Sequence, residues 1–288
     1  MITATLFSDP ACPWAYSASP ALRVLEWRYG DQIEWKLVVI GLTEHADQYA
    51  SRGYTPTRQA RGKLSFRRFG MPIATDVKAR LSGTARGCRA IVAARLQRPG
   101  SDWSVYRALQ LANFTTTLLL DDDDQIHEVL RGVEGVDADA VRAAMDSEEV
   151  TAAYEADKAA SRTAAGSPTE MQGKAGNTDG AVRYTAPSVV FQFGGLRLEA
   201  GGFQTVEAYD VVVANLDPTL ERRSAPETPE ALLSAFPSGL TTQEVAACMT
   251  VSNDAVDRRA AEAALIELVA DGRATRTSLG DDALWHAA

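Results

Sequence analysis

The stretch "SDPACPWAYSASPALR", residues 8–23, sets one cysteine, Cys12, directly ahead of a proline and a tryptophan. A thiol in this setting is commonly the first half of a Cys-x-x-Cys redox pair. Here the fourth residue is Ala15, so no neighbouring thiol can break a disulfide formed on Cys12. A mixed disulfide there would last until a thiol from outside resolved it. Two chemistries remain open to a single sulfur. One is monothiol exchange with a low-molecular-weight thiol. The other is a transfer or isomerisation on a small molecule, with a thiol cofactor bound and activated. A buried, inert cysteine is the alternative.

The element that carries the sulfur decides how reactive it is. "ITATLF", residues 2–7, alternates and is rich in β-formers, and it ends at the turn-like Ser8-Asp9-Pro10. Ala18, Leu22, Leu25 and Tyr29 then recur at helical spacing, with Pro20 as a kink and Gly30 as the stop. Cys12 therefore stands at a helix start, where free N–H groups and the helix dipole favour a thiolate. Such a position can lower a thiol from about 8.5 into the range of roughly 3.5–7.5. Pro13 is well tolerated in a first turn. "IEWKLVVI", residues 33–40, reads as a buried second strand, which completes a right-handed βαβ unit.

From about residue 55 to 161 the pattern is helical throughout. "DDDD" at 121–124 reads as an acidic helix start rather than a metal site. Cys88 lies in "ARGCRAIVAARL" on an apolar helix face; it is a core residue or, less favourably, a resolving thiol. Arg61, Arg67, Arg68, Arg86 and Arg89 are solvated faces or the lining of an anion cleft. Residues 166–183 form a Gly-rich connector. Strand pattern returns at 187–193, turns at Gly194-Gly195 and continues over 196–200. Gly201 to Thr205 then opens a last amphipathic helix, and N–H groups there could hold the carboxylate of a thiol cofactor.

Strand, Cys-Pro-Trp opening a helix, second strand, helical insertion and a later Ala-Pro opening a hairpin together resemble the DsbA-like thioredoxin fold. The most similar branch is that of the FrnE-like oxidoreductases and the 2-hydroxychromene-2-carboxylate isomerases, over about residues 1–218. The resemblance implies that Pro187 in "TAPSVVF" is a cis-proline and that Ala186 turns its backbone toward whatever extends from the sulfur. It implies Cys12 as the nucleophile, with Pro13 and Trp14 beside the substrate and Tyr16 in a weaker version of that role. "GGFQT", residues 201–205, resembles the family's Gly-x-Gln segment, which makes Gly202, Gln204 and Thr205 candidate cofactor contacts, for glutathione or mycothiol. Ala15 departs from the FrnE-like pattern and puts dithiol oxidation in doubt. Cys12 departs from the isomerases, which carry serine there.

The expected class is α/β: a thioredoxin-like domain (1–54 and 179–220), an inserted helical domain (55–178) and a small winged-helix-like domain (225–288) beyond a linker at 221–231. The tail reads as helix, helix capped by Thr241, helix over 252–272, and hairpin. It carries four basic against ten acidic residues, a balance of −6, and the whole chain carries −9, so nucleic acid is an unlikely partner. A protein-contact or homodimerisation module suits the tail better. No apolar run is long enough to span a bilayer and no leader pattern is visible, which gives a cytoplasmic expectation. Three scattered cysteines (Cys12, Cys88, Cys248) and three scattered histidines argue against a disulfide framework and a metal site. The reading is an enzyme acting on a small-molecule or protein thiol or disulfide. Its rival is a catalytically degenerate scaffold whose tail does the work.

Overall fold

The alternating N-terminal segment forms β1 (Ile2–Ser8), whose Ile2, Ala4 and Leu6 are buried in the main core. The computed structural model describes residues 1–177, 180–252 and 254–288. The domain boundary expected at residue 179, and residue 253 in the third helix expected for the tail, lie outside them. α1 (Pro13–Tyr29) follows, with Pro13 in its first turn and Gly30 ending it at φ +52°. β2 (Ile33–Val39) lies parallel to β1, Ile2 opposite Ile33 and Ser8 opposite Val39. Strand, helix and parallel strand are the unit expected from the sequence.

The insertion is less uniform than its composition suggests. It holds α2 (Asp47–Ala50), α3 (Pro56–Lys63) and a 3₁₀ turn over residues 64–69, then α4 (Ala85–Gln97), α5 (Ser101–Thr115), α6 (Asp123–Arg131), α7 (Ala138–Ala144), α8 (Glu148–Ser161) and α9 (Pro168–Met171). Helix was expected throughout 55–161, but residues 70–84 form an irregular strap instead. Gly70 stops the 3₁₀ turn at φ +79° and Pro72 follows at once, so no helix can continue. The acidic start at 121–124 behaves as read, Asp122 accepting from the Gln125 N–H to open α6; Asp137 likewise accepts from the Ala140 N–H to open α7.

β3 (Ala175–Gly176) and β4 (Arg183–Tyr184) make a short ribbon. β5 (Ser188–Phe193) lies antiparallel to β1, and β6 (Leu196–Ala200) lies antiparallel to β5, which gives the order β2-β1-β5-β6. α10 (Val206–Leu216) closes this unit. Its sheet and helix order is that of the expected thioredoxin-like architecture.

The tail contains α11 (Pro229–Ala235), β7 (Leu240–Thr241), α12 (Thr242–Met249), α13 (Arg258–Ala270), β8 (Ala274–Leu279) and β9 (Asp282–Ala287), with sheet order β7-β9-β8. α13 begins at Arg258, later than the expected 252, because Asp257 caps it through the Ala260 N–H. The tail shares its core with α1: Val24 and Trp27 pack among Leu232, Leu240, Leu265 and Trp285. At the junction the fully buried Glu244 carboxylate takes both Arg107 guanidinium nitrogens at 2.8 Å, the Ser19 hydroxyl at 2.5 Å and the Thr241 N–H at 2.8 Å. One carboxylate thereby joins α1, α5 and α12.

Arg107 and these hydrogen bonds hold the Glu244 carboxyl well below the usual carboxylate range, against the effect of burial. Methionine at Arg107 would strand a buried charge, and the expected loss in urea unfolding is about 3–5 kcal/mol. A lowered folded-state value means that this contribution is complete above about pH 4.5 and fades as the pH falls further. Glu244→Gln should flatten that acid limb of the stability profile; an unchanged limb would count against the assignment.

Candidate functional site

Cys12 is the N-cap of α1, as the sequence suggests, but its side chain faces inward and is only 6% exposed. It packs with Phe7, Ile40, Tyr184 and Val190, and Phe7 and Tyr184 stack at 4.4 Å. The Sγ donates to the carbonyl oxygen of Ala186 at 3.0 Å. The Ala186–Pro187 peptide is cis. Topology brings these together: β5 starts just beyond Pro187 and runs antiparallel to β1, whose C-terminal end leads into the Cys12 turn.

The charge balance on the sulfur differs from the sequence expectation. Backbone N–H groups of Ala15 and Trp14 do favour a thiolate, and so does Arg183. Burial opposes them and is the largest effect, and the carboxylate of Asp9 adds to it, so the thiol is pushed up to about 12. A helix start lowers a thiol and apolar burial raises it, and here burial is the larger effect.

Asp9 opens the turn read from the sequence, its carbonyl accepting the Cys12 N–H at 3.1 Å, and it is also a fully buried hub. Its Oδ1 takes the Ala11 N–H at 2.9 Å, and its Oδ2 takes the Leu42 N–H and the Thr84 hydroxyl, each at 2.9 Å. Cys88 points at the same oxygen from 3.6 Å and is wholly buried. Cys88 is thus a core thiol bonded to Asp9, the favoured of its two expected roles. All three cysteines are free.

The other expected site residues divide. Pro13 and Trp14 line a cavity of about 400 Å³ beside Cys12. Trp14 keeps 41% of its surface exposed while touching Phe66, Phe69 and Phe203. Tyr16 turns the other way: it is buried, stacks on Phe114 at 4.5 Å and donates to the Pro72 carbonyl at 2.7 Å, so it anchors the strap. The groups expected to hold an anion at 201–205 are engaged inside the chain. The Gly202 N–H goes to Ser188 Oγ at 3.0 Å, Gln204 folds back on the Gly201 carbonyl at 2.7 Å, and Thr205 caps α10. What the segment brings to the site is Phe203, which had no signature of its own.

The five arginines considered for an anion cleft do not converge there. Arg86 pairs with Asp123 and Asp146, Arg89 donates to Thr151 and Arg67 pairs with Asp281. Arg68 lies over Phe69, and Arg61 is exposed. The cations of the cavity wall are Arg58, Lys63 and Lys78. Sequence reading missed Lys78 because it sits on a strap taken for helix.

A four-stranded sheet with a cysteine N-cap facing a cis-proline peptide defines a thioredoxin-type site. The family model for the DSBA-like thioredoxin domain matches residues 3–186, and the chain belongs to that family. A search of curated proteins found no match. Among solved structures, a candidate protein disulfide isomerase from Nitrosomonas europaea is 15% identical, with a TM-score of 0.57 over 74% of this chain and 96% of its own. A candidate DsbA oxidoreductase from Streptomyces coelicolor is 18% identical, with a TM-score of 0.56 over 76% and 91%. The cytosolic disulfide reductase DsbM from Pseudomonas aeruginosa is 16% identical, with a TM-score of 0.52 over 75% and 100%.

Removing the charge behind the sulfur tests this balance. Asp9→Asn keeps an oxygen acceptor but no carboxylate, so the Cys12 thiol should ionise at lower pH and react several-fold faster with iodoacetamide. Thiolate absorbance against pH, referenced to a Cys12→Ser variant, reads both. An unmoved titration would leave burial alone as the cause.

Proposed function

We propose that the chain is a thiol oxidoreductase of the DsbA type working with one active-site cysteine. The observation that carries this reading is the Cys12 Sγ lying 3.0 Å from the Ala186 carbonyl, immediately ahead of a cis Pro187. A group attached to that sulfur leaves along the Ala186–Pro187 edge, where backbone can steady it. In the reaction, the Cys12 thiolate attacks a disulfide R–S–S–R′ and forms Cys12–S–S–R, and R′–S⁻ departs. A thiol from solution, glutathione or mycothiol, then attacks the mixed disulfide, takes R as its own disulfide and frees the Cys12 thiolate. Ala15 is why the second thiol comes from outside. Thiol-cofactor-dependent transfer or isomerisation on a small molecule uses the same binding step without net redox change.

At rest the sulfur carries its proton, donated to Ala186. When a disulfide substrate displaces that hydrogen bond, the Cys12 proton passes to the departing R′–S⁻, which leaves as R′–SH. Three free thiols suit a reducing compartment, and the cytoplasm is the proposed location. Helix, strand, two helices and two strands, with sheet order β7-β9-β8, support a winged-helix-like reading of the tail. Its Arg258 already pairs with Asp282 at 2.8 Å and its Arg273 with Glu230, which supports a protein-contact role over nucleic acid.

The second reading, a catalytically silent scaffold, is favoured by the thiol pushed up to about 12. Incubation with oxidised glutathione and with mycothiol disulfide, followed by intact mass, separates the two. The enzyme reading expects one adduct that disappears in Cys12→Ser. It also expects Ala15→Cys, which restores a neighbouring thiol, to shorten the adduct's lifetime. No adduct at any pH up to the thiol's own value supports the scaffold.

A further inference from the structure

α13 turns one side into the tail and leaves the other bare. Ala261, Leu265 and Leu268 are buried in the tail's core. The opposite side carries Arg259, Ala260, Ala263, Ile266, Glu267 and Ala270, all of them exposed. At 3.6 residues per turn these six lie within about 60° of Ala263 on either hand, so they form one face. Ile266 shows 53% of its surface to solvent, and Val269 at the border of the face shows 37%. Val251 and Val256 are exposed in the segment that leads into the helix. Aliphatic groups gathered on the side of a helix away from its core make a surface that gains from cover.

Two charges on this face say what the cover is. Arg258 is paired with Asp282 and Arg273 with Glu230, but Arg259 and Glu267 have no ion-pair partner among the described residues. They stand four residues before and four residues after Ala263. A second copy of the helix laid antiparallel on the first, with the two-fold axis at Ala263, brings Arg259 of each copy level with Glu267 of the other. The same operation sets Ala260 level with Ile266, a small side chain against a large one. Two alanines at the crossing allow an approach near the lower end of the usual 8–10 Å. The face is thus self-complementary, as a two-fold interface requires. A parallel pair would instead set arginine against arginine and glutamate against glutamate. A nucleic acid is a poorer occupant, because one cation offset by one carboxylate offers phosphates no net attraction.

We propose that this face of α13 binds a second copy of the chain, antiparallel about Ala263, with Arg259 and Glu267 pairing across the axis. This rests on the protein-contact reading of the tail given above. One helix face is small beside the roughly 1,200–2,000 Å² of a standard interface, so the dimer is weak and fills at chain concentrations on the order of 100 µM.

Sedimentation of the full chain across that concentration is the test. The parent should show a monomer–dimer equilibrium. Arg259→Glu and, separately, Glu267→Arg should each weaken it about tenfold, because each sets like charges together at both ends of the interface. Ile266→Lys should weaken it further. Mixing the two charge variants should restore a dimer containing one copy of each, and a chain carrying both changes should dimerise by itself as the parent does. The substituted positions are exposed, so the melting temperature of dilute protein should not move. A monomer at every concentration overturns the proposal, as does a dimer that ignores the charge variants or that mixing fails to restore. Fluorescence anisotropy with a random DNA duplex separates the underlying reading. A monomer that leaves the duplex unbound sinks the second copy alone, whereas duplex binding that Arg259→Glu abolishes sinks the protein-contact reading and this proposal with it.

Discussion

The carboxylate of Asp9 holds together the ground on which Cys12 stands. Its partners come from three places in the chain: Ala11 in the turn before α1, Leu42 just after β2, and Thr84 and Cys88 at the start of α4. A fully buried carboxylate is costly, and burial does raise its affinity for a proton. Four donors around two oxygens offset that cost and pin the insertion to the sheet. The thiol loop inherits both the rigidity and the charge.

Those two inheritances act in opposite directions on the sulfur. Rigidity places Sγ against the Ala186 carbonyl, where exchange chemistry needs it. Charge and burial keep the proton on it. The helix N-terminus contributes in the expected sense, through the N–H groups of Trp14 and Ala15, yet desolvation is the larger effect. Position and activation are therefore separate properties here. The family's geometry is present while the resting electrostatics of a strong nucleophile are absent.

Periodicity made much of this architecture legible, because alternation and helical spacing are local signals. The β1–α1–β2 unit, the acidic starts of α6 and α7, the hairpin turn at Gly194-Gly195 and the cap at Thr241 all follow from residues within a few positions of one another. Cys12 and Ala186–Pro187 were legible through resemblance. What stayed hidden depends on contacts far apart in sequence. Asp9 looks like an ordinary turn residue until Leu42 and Thr84 fold over it. Lys78 looks helical until Gly70 and Pro72 turn the chain into a strap. The Gly201–Thr205 N–H groups look free until Ser188 takes the one at Gly202. Burial of the sulfur, too, comes from Tyr184 and Val190, more than 170 residues away.

The tail touches both sides of the site without entering it. Through Glu244 it grips Ser19 on α1, the helix whose first turn carries Cys12, and through Asp281 it grips Ile73 on the strap that carries Lys78. Two shared core residues, Val24 and Trp27, leave α1 incompletely covered without the tail. The acidic tail thus has a physical task within the fold itself. It bonds to the thiol helix and to the strap that carries Lys78, through residues that do not line the cavity.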